Sequence, residues 1–179
     1  MTLVRTASTP LAALGVLVLS AAMLVGCSPQ AEPTPTPTAA FASEEEAFAA
    51  AEETYRAYND AVNALRSGDN TADPRKFLTG EVLESDVKAA RELEEAGLRI
   101  LGPTALLSFA GVQASHGDAV AEVTALVCLD VTMARALNSN GEDVTAPERS
   151  DVYGVEVKFV GNADQLHIAK YEIATDAPC

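Results

Sequence analysis

The sequence predicts an α+β domain, with N-terminal helices packed on a curved antiparallel sheet of about four strands. Three observations predict it. Apolar side chains recur at helical spacing up to Gly97 and at extended spacing beyond it, and polar, turn-forming tetrapeptides separate neighbouring extended segments. Helices first and hairpin-connected strands afterwards place the helices together on one face of the sheet.

The first helix begins at "SEEE". Ser43 stands as N-cap with Glu46 three residues on, a capping-box spacing, and Glu44, Glu45 and Glu46 suit the positive end of the helix dipole. Phe48, Ala51, Tyr55, Tyr58, Val62 and Leu65 then alternate spacings of three and four, which lines one face as far as Arg66, with Gly68 as the stop. Asp73-Pro74 opens a short helix over "PRKFL". A longer one runs from about Glu81 to Ala96, with Leu83, Val87, Ala90 and Leu93 facing one way and Gly97 ending it.

Strands are predicted over 104–115, 119–132, 150–160 and 165–174, joined by hairpin turns at "SHGD" and "GNAD" and by a longer polar connection over 138–149. Val155, Val157 and Phe159 alternate with Glu156 and Lys158, so that strand has one wet face. On the last strand Leu166 and Ile168 share a parity, whereas Tyr171 and Ile173 take the opposite one. A bulge near Ala169-Lys170 reconciles them.

Composition narrows the function classes. The 179 residues are 48% apolar, which suffices for a core, and the net charge is −14. No basic stripe exists for a nucleic acid, so a nucleic-acid partner is excluded, and an anionic membrane surface would repel the body. Any membrane attachment has to come from something other than charge.

The N-terminus supplies such an attachment. Arg5 precedes an apolar run, Leu11–Leu24, that is shorter than the ~20 residues needed to cross a bilayer. The run closes on "LVGC", and Leu24, Gly26 and Cys27 resemble the bacterial lipobox. That resemblance implies a signal peptide over 1–26, a diacylglyceryl group on the Cys27 thiol, and attachment to the extracytoplasmic face of the cell membrane. Loss of 1–26, whose one charged side chain is Arg5, would take the mature net charge to about −15. Two acyl chains suffice for stable anchoring where one is marginal.

Residues 27–42 then form a tether. Pro29, Pro33, Pro35 and Pro37 favour extended polyproline II with a reach of about 45 Å. Thr34, Thr36 and Thr38 lie in a composition that permits O-glycosylation. Folded sequence is expected from Ser43 to Cys179.

Within that body, the order helix, short helix, helix and hairpin-connected strands resembles the NTF2-like α+β cone. "AGLRILGPT", "VCLDV", "NGEDV" and the terminal "YEIATDAPC" are similar to a group of uncharacterised actinobacterial secreted lipoproteins. This resemblance implies fold and cellular address but no chemistry. One departure is Leu166, where such proteins often carry Trp.

With Cys27 assigned to lipid, Cys128 and Cys179 remain, and export with an even remainder predicts a disulfide between them; a free buried thiol is the alternative. Two Cys without further ligands at suitable spacing make no zinc site, so neither metal nor cofactor is expected. His116 reads as a solvated turn residue and His167 as an outward residue of the last strand.

Asp130 is the candidate for chemistry. If Cys128 faces inward so does Asp130, and a buried carboxylate beside Tyr153 or Tyr171 would imitate the Asp base and Tyr donors of isomerases and dehydratases with this fold. The structural alternative pairs Asp130 with Arg135 or Arg149 in the following loop. No nucleophile elbow, phosphate loop, metalloprotease helix or EF-hand loop is present in the sequence.

Two function classes follow: a non-catalytic module that binds an unknown ligand or envelope protein, and a small-molecule isomerase or dehydratase with Asp130 as base. A pocket joining Asp130 to a Tyr hydroxyl favours the second. An interior filled by Phe48, Leu107 and Phe159 favours the first. Oligomeric state is not legible.

Overall fold

Small side chains decide how the first helix meets the sheet. The computed structural model describes residues 38–175 and 177–179. Cys27, the apolar run before it and Thr34, Thr36 and most of the tether lie outside the described residues. Among the described residues no helix is long and apolar enough to cross a membrane.

Helix α1 (Glu44–Arg66) starts on Ser43, whose Oγ accepts from the Glu46 N–H at 3.2 Å, while Glu46 Oε2 accepts from the Ala42 N–H at 2.8 Å. The reciprocal bond of the capping box thus reaches one residue further back than expected. A 3-10 turn, Pro74–Phe77, is capped by Asp73, whose Oδ1 accepts from the Arg75 N–H at 3.0 Å. Helix α2 (Gly80–Glu95) follows and ends at Gly97.

The strands are β1 (Arg99–Leu101), β2 (Ala105–Ser115), β3 (Ala121–Asp130), β4 (Arg135–Leu137), β5 (Val152–Gly161) and β6 (Leu166–Ile173). Four of them form one curved antiparallel sheet in the order β2-β3-β5-β6, and the short β1 and β4 pair separately. The chain is therefore α+β, with two helices packed on a curved antiparallel sheet of four strands. The β1–β4 pair was not expected from sequence.

Register assigns the faces. Ala121, Val123, Ala125, Val127 and Leu129 of β3 and Val155, Val157 and Phe159 of β5 are buried under α1, whose Ala47, Ala51 and Tyr55 are also buried. Two alanines let the helix axis approach the sheet, and Phe48 reaches Gly111 of β2, where an added Cβ would overlap the ring. Phe109 and Phe159 fill the space beside it, with ring centroids 6.2 Å apart.

The edge strands are irregular. Strand β2 carries register shifts at Leu107 and at Val112, which bend it and blunt an exposed edge. Leu107 is consequently 56% exposed and takes no part in filling the interior. On β6, Phe159 faces Ile168 while Lys158 faces Lys170, so Ala169 is the extra residue and Tyr171 and Ile173 return to the helix side. The expected bulge is present. Leu78 bridges Ile168, and the Thr79 N–H donates to the Ile168 carbonyl at 2.9 Å, which covers part of that edge.

The body begins before Ser43. Ala40 and Phe41 are buried, and their backbones bond to Asp118, His116 and Ala163 in two hairpin loops. His116 is accordingly half-buried with Nδ1 enclosed, rather than a fully solvated turn residue. Burial of Phe41 is the physical reason: a large aromatic side chain next to the tether is worth more packed than exposed.

Gly111→Ala should destabilise the body by about 1–3 kcal/mol, because the added methyl has only the Phe48 ring to displace. Urea unfolding measures it as a fall in midpoint at unchanged slope, and Phe48→Leu in the same chain should recover part of the loss.

Candidate functional site

Cys128 and Asp130 occupy the sheet face away from the helices. They alternate with the buried odd-numbered residues of β3, so the inward placement considered for Asp130 is corrected. The apolar stretch over 125–129 hides the parity that Glu122 and Thr124 show earlier in the strand, and here Cys128 is buried by a different layer. It bonds to Cys179, with Cα atoms 5.6 Å apart, and the C-terminal tail lies over it. Gly154, opposite Cys128 on β5, is where the tail crosses; a Cβ there would overlap Ala177 and approach Cys179 Sγ at 3.2 Å. Closing this loop contributes about 4 kcal/mol in the chain-entropy account.

Asp130 Oδ1 accepts from the Thr132 N–H at 2.7 Å. Hydrogen bonding from Thr132, its hydroxyl first and its backbone N–H second, with a smaller contribution from Arg149, holds the carboxyl below the usual range, so it stays ionised in a turn. Arg149 itself donates to the Val131 carbonyl at 2.8 Å, and Arg135 lies 3.4 Å from Asp143. Tyr153 faces Leu129 on the helix side, and Tyr171 faces Val157 on that side, further along the sheet. Neither shares a cavity with Asp130. His167 faces Val160 on the outer side, as expected.

Tyr171 joins a different group. Burial pushes the Tyr55 hydroxyl well above the phenol range, with Tyr171 as the next cause, and pushes Tyr58 up to about 12. Tyr171 is likewise raised by burial, with 37% of the residue exposed. Arg66 acts on both Tyr58 and Tyr171. Three neutral phenols and one guanidinium therefore meet near the C-terminal half of α1.

Arg66 is fixed there by Thr104, the buried polar residue at the start of β2. Asn63 takes both sides of its backbone: Nδ2 donates to the Thr104 carbonyl at 2.9 Å and Oδ1 accepts from its N–H at 2.9 Å. Asn59 adds a second donor to the carbonyl at 3.0 Å, and Arg66 donates to Oγ1 at 2.8 Å. Sequence reading assigned no role to this helix face. The available signal was Asn59, Asn63 and Arg66 at spacings of four and three.

Beyond Tyr58 the apolar face of α1 leaves the sheet. Helix α2 has no fully buried residue, and its Val87 is 38% exposed. Between the two helices, floored by β1, lies a groove of ≈ 560 Å³. Val62, Leu65, Ala90, Leu93 and Ile100 give it apolar walls, and Arg66, Arg75, Asp86, Asp73 and Arg99 supply its charges. Its size falls within the roughly 300–1,000 Å³ of small-molecule sites.

Most of those charges are accounted for. Arg75 Nε lies 2.8 Å from Asp86, and Asp73 caps the 3-10 turn. Arg66 differs: among the described residues no carboxylate stands within ion-pair distance of it. Burial lowers its pKa, and only Tyr58 and Tyr171 oppose that. The described residues hold no group of three or more His, Cys, Asp or Glu that would bind a metal ion.

No protein-family model matches the chain, and no curated protein matches it. Among solved structures, the intermembrane space region of the chloroplast protein ARC6 is similar at 17% identity, with a TM-score of 0.49 over 70% of this chain and 95% of that chain.

Asn63→Ala should cost about 1–3 kcal/mol, because it strips the enclosed Thr104 N–H of its acceptor. Thermal unfolding checks this, and a loss no greater than that of Asn→Ala at an exposed helix position would contradict the clamp.

Proposed function

We propose that the chain is a lipid-anchored envelope lipoprotein whose body, a member of the NTF2-like group in fold, binds a small ligand without transforming it. The observation that carries the binding reading is the α1–α2 groove: an open, largely apolar cleft holding a partly buried guanidinium, Arg66, without an acid partner. A preformed site of this kind offers orientation and affinity. A general acid–base reaction needs two polar groups converging on one substrate atom.

The alternative, an isomerase or dehydratase using Asp130 as base, requires Asp130 and a tyrosine hydroxyl to face one cavity. The strand register sets them on opposite faces of the sheet. The interior on the helix side is filled by Phe48, Phe109 and Phe159, which supports binding at the groove instead.

The address rests on the lipobox resemblance of Leu24, Gly26 and Cys27 together with the proline-rich tether. The lipid holds the body at the outer face of the membrane, and the tether lets the groove meet diffusible ligands away from it. A strongly acidic body, near −15 after processing, is repelled by anionic surfaces and relies on the acyl chains for retention.

Two outcomes test this. Growth on an alkyne-bearing palmitate should label the wild-type chain and leave Cys27→Ala unlabelled in the soluble fraction; labelled Cys27→Ala would contradict the anchor. A thermal-shift screen of the body against small metabolites, with mass spectrometry of every stabilising compound, should return those compounds unchanged. Turnover that Asp130→Asn abolishes in a folded protein would favour the enzyme.

A further inference from the structure

We infer that the α1–α2 groove takes an amphipathic monocarboxylate, with the carboxylate on Arg66 and the apolar chain along Val62, Leu65, Leu93 and Ile100. The inference rests on the binding-module reading and adds the chemical class of the ligand.

The charge pattern carries it. Among the described residues Arg66, Lys76, Arg91, Arg99 and Lys158 have no acidic side chain within ion-pair distance, and of these five only Arg66 is partly buried rather than exposed. Arg56, Arg75, Arg135 and Arg149, like Lys88 and Lys170, each have an acidic side chain within ion-pair distance. Arg66 is half-buried and has none, and neither Asp73 nor Asp86 of the same groove acts on its titration. Partial burial of an arginine without an acid is costly unless something anionic completes it.

Geometry narrows the anion. The Thr104 hydroxyl already accepts from Arg66 Nη1, which fixes the guanidinium plane. The rest of its planar fork suits the two oxygens of one carboxylate. Tyr58, kept neutral by burial, lines the same groove as a phenol rather than as a competing anion. Arg99 at the exposed rim adds favourable field, whereas Arg75 is already neutralised by Asp86. A dianionic phosphate would find one anchored cation with two aspartates lining the same groove, so a single negative charge fits better.

The walls narrow the rest. Leu65 is 44% exposed and α2 has no fully buried residue, so beyond Leu83, which packs against the core, the apolar stripe read from the sequence is left open. An aliphatic chain lying between the helices would remove that surface from water.

Isothermal titration of the disulfide-bonded body tests the inference, with decanoate, decanol, decylammonium and acetate as probes. Decanoate should bind one per monomer, and about tenfold or more tighter than decanol, as a charge-assisted hydrogen bond implies. Acetate should bind too weakly to measure. Arg66→Met should remove the preference for decanoate over decanol, and Arg66→Lys should keep part of it. Leu65→Glu, at an exposed position that leaves the Thr104 bonds intact, should weaken decanoate by a similar factor and guards against a folding defect in Arg66→Met.

Decanol binding as tightly as decanoate, or decanoate binding untouched by Leu65→Glu, overturns the inference. Preferential binding of decylammonium, abolished by Leu65→Glu, overturns the ligand class and leaves the binding-module reading standing. Chemical conversion of a probe would overturn that reading instead. A dimer that Leu65→Glu dissociates would give the face to a second copy and likewise overturn the inference.

Discussion

Among the described residues Thr104 is the one buried polar residue, and satisfying it organises the molecule. Its N–H, carbonyl and hydroxyl are all bonded by α1, through Asn63, Asn59 and Arg66. A buried donor or acceptor without a partner costs about 1–3 kcal/mol, so this junction holds α1 at one angle against the start of β2. The same contact fixes Arg66. A side chain recruited to complete a buried hydroxyl is thereby presented, still charged, to the groove beside it.

From that constraint α1 divides into two halves with different work. The N-terminal half lies flat because Ala47 and Ala51 allow close approach and Gly111 admits the Phe48 ring. The C-terminal half turns Val62 and Leu65 away from the sheet toward α2. The opposite sheet face is closed separately, by the tail that Cys128–Cys179 fastens over Gly154. Stability on one face and an open cleft on the other are therefore independent of each other, and the cleft can remain unfilled without loosening the core.

Much of this was legible in the sequence. The ends of α1 and α2 followed from Ser43, Gly68 and Gly97, and parity alone located the Ala169 bulge, because period-2 burial on β6 changes phase there. The disulfide followed from counting cysteines. Other features carried no local signal. Strands β1 and β4 have three residues each and pair across a long stretch of sequence, too short for any periodicity to register. Strand β3, by contrast, is apolar on both faces only over 125–129; Glu122 and Thr124, on the parity of Cys128 and Asp130, carried the signal that this face is turned away from α1. The α2 stripe was read only as facing one way, since an apolar helical face looks the same whether a sheet or a ligand is to cover it.

The catalytic candidates fail for a related reason. Asp130 is a strand-end residue whose oxygen completes a turn through Thr132, and short acidic side chains are favoured at such positions for that local bond alone. The titratable group that does stand in an unusual setting is Arg66, which carries no motif. Methyl and arginine side-chain NMR of the lipid-free body with decanoate measures the account's central claim most directly. The account predicts shifts at Val62, Leu65, Leu93 and Ile100 together with the Arg66 Nε–H. Shifts confined to the tail-covered sheet face, or none at Arg66, would contradict it.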